Sequence, residues 1–179
     1  MTSSEFDPLL RRARKQPLWT PSASTQEVQH ERAEIERILP HRGRSLLVDA
    51  VTAVDLAQRC CRVLRKLEPN DPGFDGHFPG QPLYPGSLQL ELAGQAGGCL
   101  FHFVESNSCS IPDEPRARNV RVIKVHHALF LAEVRPDALL TVLVKGLVHD
   151  EMTSIFAGQI SCGDAICTVA IMEVYFADP

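Results

Sequence analysis

Residues 87–101 read Ser-Leu-Gln-Leu-Glu-Leu-Ala-Gly-Gln-Ala-Gly-Gly-Cys-Leu-Phe, and Pro85 and Gly86 stand where a helix would begin. The stretch is apolar on nearly every face, the pattern of a helix buried on all sides. Gly94, Gly97 and Gly98 each weaken such a helix by about 1 kcal/mol relative to Ala, so close approach of another backbone is expected to compensate. Working outward, residues 46–54 and 60–67 read as strands, with a polar turn between them. Residues 139–149, 153–161 and 166–176 read as strands joined by turns at Asp150-Glu151 and Gly163-Asp164. Residues 34–39 form a turn or two of helix stopped by Pro40, and 68–85 and 105–118 are loops. One buried helix against antiparallel strands is an α+β arrangement. No GxGxxG or GxxxxGK[ST] loop supports a nucleotide-binding α/β fold.

The chain has 179 residues, 44% hydrophobic and 22% charged, which fits one globular unit with a core. Residues 34–179 are read as that domain. Residues 1–33, with Ser, Thr, Pro and Gln around Arg11, Arg12, Arg14 and Lys15, are read as an N-terminal extension outside the core, mobile or partly helical. Lys and Arg total 18 against 22 Asp and Glu, a formal charge of −4, which argues against nucleic acid as a partner. The six cysteines have no CxxC spacing, and Cys60 and Cys61 would face opposite sides of a strand, so free thiols are expected. With no signal-peptide pattern and no apolar run long enough for membrane insertion, the sequence reads as soluble and cytoplasmic.

His77 lies in a loop fixed by Gly and Pro, and fourteen positions later Glu91 interrupts the apolar helix. Taken singly, a loop histidine is ordinarily a hydrogen-bonding residue and a helical glutamate ordinarily reaches solvent. Together they suggest an acid/base pair: desolvation would raise the glutamate pKa and keep its proton on, while histidine accepts protons near neutral pH.

The surrounding string resembles the 3-hydroxyacyl-[acyl-carrier-protein] dehydratases. The matching parts are Leu39-Pro40-His41-Arg42, Leu46-Leu47-Val48-Asp49, Asn70-Asp71-Pro72, Gly76-His77-Phe78-Pro79-Gly80, Pro85-Gly86, and Leu88-Gln89-Leu90-Glu91 with Gln95 and Ala96. The resemblance covers roughly residues 34–176 and is strongest over 70–98. It implies a hot-dog fold, a curved antiparallel sheet around one central helix. It also implies dehydration of a (3R)-3-hydroxyacyl thioester, carried on the phosphopantetheine arm of acyl carrier protein, to the trans-2-enoyl thioester, with no other cofactor and no metal. The setting is fatty-acid synthesis or a related polyketide or polyene route. In the implied mechanism His77 abstracts the C2 proton, Glu91 protonates the leaving C3 hydroxyl, and the Gly86 backbone N–H polarises the thioester carbonyl. Phe78, Pro79, Tyr84 and Gln95 become candidate substrate-binding residues. Sites shared between subunits are implied, and hence a homodimer or a trimer of dimers. Related dehydratase/isomerases carry Asp in a Gly-Leu-Asp context, so Gln89-Leu90-Glu91 points to dehydration without isomerisation.

The sequence departs from the family where Gly43-Arg44-Ser45 replaces an aromatic-Pro-Phe run and where Ala50 replaces Arg. These changes bear on the substrate more than on the reaction. His41 is read as structural. His126 and His127 are expected on opposite faces of a strand, poorly placed to share a metal. Arg62, Arg65, Lys66, Arg116, Arg118, Arg121 and Lys124 suggest either a patch that docks an acidic carrier or solvated strand faces. Two other functions stay open: a hot-dog acyl-thioesterase, and a non-catalytic subunit that binds a carrier or synthase.

Overall fold

The computed structural model describes residues 3–115 and 119–177. Seven strands form one antiparallel sheet: β1 (Gln26–Glu31), β2 (Ala50–Asp55), β3 (Cys60–Lys66), β4 (Asn119–Phe130), β5 (Leu139–His149), β6 (Thr153–Cys162) and β7 (Ala165–Ala177), in the order β1-β2-β3-β5-β6-β7-β4. Two short helices, α1 (Asp7–Ala13) and α2 (Arg32–Ile38), precede the central helix α3 (Gly86–Ser106), which packs against the inner face of the sheet. This is the hot-dog architecture, and it is α+β.

Helix α3 begins where Pro85 and Gly86 indicate, but it runs five residues past Phe101. It stops at Asn107, whose left-handed backbone (φ +48°) lets the Ser108 N–H turn back onto the Phe103 carbonyl. Its glycines make room for side chains, not for the second backbone expected from the sequence. A Cβ on Gly97 would lie 2.6 Å from the Phe156 ring of β6. The strand reciprocates at Gly158, where a Cβ would meet Ala93 Cβ at 3.1 Å. The ladder of β2 starts at Ala50 and not at Leu46, because the Leu47 N–H donates to the Gln95 side chain of α3 (2.8 Å) instead of to a neighbouring strand.

The expectation that residues 1–33 stay outside the core needs correction. Phe6, Leu10, Ala13, Leu18 and Trp19 are buried on the outer face of the sheet, against Ala53, Cys60, Ile155, Ala157, Val169 and Ile171. Two polar clamps fix this cover. The Gln159 side chain accepts from Leu18 N–H (2.9 Å) and donates to the carbonyls of Ala13 (2.6 Å) and Gln16 (2.9 Å). Buried Asp55 accepts from the hydroxyls of Ser22, Ser24 and Thr25 and from Gln58. Burial works against its charge, yet these hydrogen bonds hold its carboxyl well below the usual range. The same stretch supplies β1. Strand alternation separates the adjacent cysteines as expected, Cys60 in the outer cluster and Cys61 in the inner one.

Candidate active site

The loop from Asn70 to Pro85 is tied down by its own backbone. Gly76 (φ +73°) and Gly80 (φ +77°) occupy the left-handed region, where a side chain would be strained. The His77 N–H donates to the Phe74 carbonyl (3.1 Å), and the Leu83 N–H donates to the His77 carbonyl (2.8 Å). The His77 ring is fixed as well, with Nδ1 2.9 Å from the Leu83 carbonyl oxygen. A carbonyl can only accept, so Nδ1 carries the proton and Nε2 is left with its lone pair.

His77 lines a cavity of about 460 Å³ together with Tyr84, Gly86, Gln89 and Phe130. Gly86 opens α3, so its N–H belongs to the first turn, whose amides lack intrahelical partners. The Gln89 amide donates to the Tyr84 carbonyl (3.1 Å) and anchors the loop to the helix. Phe78 is 55% exposed and stacks on the His77 ring at 4.2 Å between centroids, and Pro79 is also exposed; neither lines this cavity.

Glu91 lines a different cavity, of about 220 Å³, with His41, Gly94, Gln95, Val120 and Val122. The expectation of a desolvated, proton-holding Glu91 is not met within one chain, where its side chain is 48% exposed. His41 Nε2 stands 3.3 Å from Glu91 Oε1, and Gln95 Nε2 donates to the same oxygen at 2.8 Å. The hydrogen bond from His41, joined by that from Gln95 and opposed by partial burial, lowers the Glu91 pKa. His41, read from sequence as structural, is thus the nearest partner of the carboxylate; the signal that could have found it was its place in Leu39-Pro40-His41-Arg42. Gln95 is buried and fully engaged, since it also bonds the backbone of Ser45 (2.7 Å) and Leu47 (2.8 Å). It positions the carboxylate.

The two cavities flank opposite ends of β4, Val120 and Val122 at one end and Phe130 at the other. β4 is an edge strand, paired with β7 on one side, and it exposes Val122, Ile123, Val125 and Phe130.

The basic residues do not form one patch. β3 and β4 are separated by three strands. On β3, Arg62 pairs with Glu27, Arg65 with Asp49 and Asp71, and Lys66 with Glu68. Arg116 and Arg118 lie outside the described residues. His126 and His127 do not point apart, because a bulge interrupts the alternation and both rings meet the edge of Phe6. Among the described residues, no three His, Cys, Asp or Glu side chains converge as metal ligands, and no helix is long and apolar enough to cross a membrane.

Residues 39–171 match the FabA-like domain family. The chain is 32% identical over 149 residues to the 3-hydroxyacyl-[acyl-carrier-protein] dehydratase FabZ of Campylobacter concisus strain 13826, covering 81% of this chain and 96% of that protein. It is 33% identical over 141 residues to FabZ of Dichelobacter nodosus strain VCS1703A, covering 78% and 92%. Among solved structures, the dehydratase heterocomplex ApeI:P from Xenorhabdus doucetiae matches with a TM-score of 0.65 at 17% identity, over 80% of this chain and 91% of that one, a likeness of fold.

Proposed function

Since the chain belongs to the FabA-like domain family, we propose that it dehydrates (3R)-3-hydroxyacyl thioesters on acyl carrier protein to trans-2-enoyl thioesters, using His77, Glu91 and Gly86. His77 Nε2 takes the C2 proton. The electron pair moves into the C2–C3 bond, and the C3 hydroxyl leaves as water with a proton from Glu91. The Gly86 N–H, at the positive end of α3, stabilises the enolate oxygen as it forms. The resulting imidazolium and carboxylate are reset by return of one proton. The observation that carries this reading is the Nδ1–H bond from His77 to the Leu83 carbonyl, which leaves Nε2 as a base in the cavity that also holds the start of α3.

The working site spans two subunits. Antiparallel pairing of two β4 edges about a two-fold axis would set the Val122 end of one strand against the Phe130 end of the other, so the Glu91 cavity of one chain would adjoin the His77 cavity of its partner. The exposed apolar residues on β4 support that pairing. Cover by the partner and the acyl chain would remove water from Glu91 and favour its proton, against the pull of His41. The carrier protein is the macromolecular partner, and the phosphopantetheine thioester is the substrate's own, so no resident cofactor is invoked.

The test follows water loss by mass with 3-hydroxyacyl carrier thioesters, using wild type, His77→Ala and Glu91→Gln. Turnover in wild type that both variants lose supports the reading. Release of free thiol without water loss would instead indicate a thioesterase, and a folded dimer with no turnover on any chain length would indicate a binding subunit.

A further inference from the structure

A third cavity, of about 420 Å³, lies on the other side of the Tyr84 ring from His77, between the Gly43–Leu47 segment and the first turn of α3. Its apolar walls come from Leu46, Leu47, Pro72 and Leu88. It opens beside Gly43 and Arg44, and a Cβ on Gly43 would meet nothing within 4 Å.

The polar groups of this cavity are unbalanced in one direction. Asp49 accepts from Arg32 (3.3 Å) and Arg65 (3.0 Å), and Asp71 accepts from Arg65. Arg44, exposed at the rim, forms no ion pair among the described residues. Asp49, behind the lining, and Asp71 thus take up the charges of Arg32 and Arg65, and Arg44 is left as one positive charge at the rim. Two buried donors are also unused. The Tyr84 hydroxyl, on a residue 3% exposed, lies beside the Arg65 guanidinium, and neither it nor the Arg65 Nε–H makes a well-formed hydrogen bond; a guanidinium cannot accept, so the hydroxyl proton is left without an acceptor. Burial pushes the Tyr84 pKa up to about 12, so its hydroxyl remains a donor. Buried donors without acceptors are costly unless a ligand completes them.

We propose that this cavity binds the carboxylate of an apolar carboxylic acid, which takes hydrogen bonds from Tyr84 and Arg65, balances the charge of Arg44 and lays its stem along the leucines. One negative charge, two oxygens and a short hydrocarbon match what the walls offer. The acid is either free in solution or the far end of an acyl chain that passes Tyr84 from the His77 cavity.

The probe is sodium hexanoate, titrated into the full-length protein by calorimetry, with hexan-1-ol as the uncharged control. The expected result is hexanoate binding with a dissociation constant of about 1 mM. Arg44→Ala should weaken it by about tenfold or more, and Tyr84→Phe should also weaken it, with hexan-1-ol binding much less well. Because the binding is measured directly, it stands or falls separately from the dehydratase reading. Equal affinity for hexan-1-ol, unchanged hexanoate binding in Arg44→Ala, or no heat up to about 50 mM would each overturn it. The mode of hexanoate inhibition of water loss then separates the sources: competitive inhibition marks the end of the acyl path, and non-competitive inhibition marks a separate site for free acid.

Discussion

The His77 and Glu91 half-sites are held by different means. His77 is positioned by backbone: glycines with positive φ shape its loop, and a main-chain carbonyl sets which ring nitrogen carries the proton. Glu91 is positioned by side chains, with His41 from a distant segment on one oxygen and Gln95, one turn along α3, linking that oxygen to residues 45–47. A backbone-held base has a fixed tautomer and ring position. A side-chain-held carboxylate can be tuned, because each neighbour favours one protonation state. The difference separates a half-site that supplies geometry from one that supplies an adjustable pKa.

Each half-site has its assigned role only if its residue is indispensable. His77→Ala and Glu91→Gln are each expected to lower kcat by about 10²–10⁴-fold with the fold retained, measured by water loss and circular dichroism. A fall below tenfold in either would remove that residue from the chemistry. Mixed subunits sharpen the same point. When His77→Ala and Glu91→Gln chains are unfolded together and reassembled, random pairing makes half the dimers mixed, each with one intact site, so about a quarter of wild-type activity should return. If each site were built within one chain, mixing would return nothing. Gly86→Ala is expected to act less severely. Its Cβ would meet the Phe130 ring at 2.8 Å, so the ring must move within the His77 cavity, and kcat/KM should fall by about tenfold. Removing the obstacle with Phe130→Ala in the same chain should restore most of the loss; if it does not, the fault lies at the helix start itself.

The two half-sites were unequally legible in the sequence. Gly76-His77-Phe78-Pro79-Gly80 and Pro85-Gly86 announce a fixed loop running into a helix, because glycine and proline encode backbone geometry locally. The His41–Glu91 pair spans fifty positions and depends on how α3 lies on the sheet, which periodicity does not encode. The same distinction runs through the fold. α3 and β5 were readable from local pattern, whereas the cover formed by Phe6, Leu10 and Trp19 was not. Its apolar residues are spread through a basic, polar stretch, and its anchors Asp55 and Gln159 lie 33 and 141 positions from the Ser22 and Leu18 groups they bind. The bulge that turns His126 and His127 toward Phe6 is likewise set by pairing with β7.

The smallest effect tests the adjustable pKa directly. His41 Nε2 hydrogen-bonds the Glu91 carboxylate and so favours the charged form, which lowers the Glu91 pKa below its ordinary value. His41→Ala removes that bond while Gln95 stays in place. The proton then binds Glu91 more tightly, and its pKa must rise. The kcat/KM profile reports the pKa values of the free enzyme, so the limb set by Glu91 should move to higher pH while the other limb stays where it is. A purely structural role for His41 would lower the whole profile without moving either limb, and a shift toward lower pH would contradict the sign of the hydrogen bond. His41→Gln, which can still donate to the carboxylate, should bring the limb back toward its wild-type position, and that return would separate loss of the hydrogen bond from loss of packing around Leu39 and Pro40.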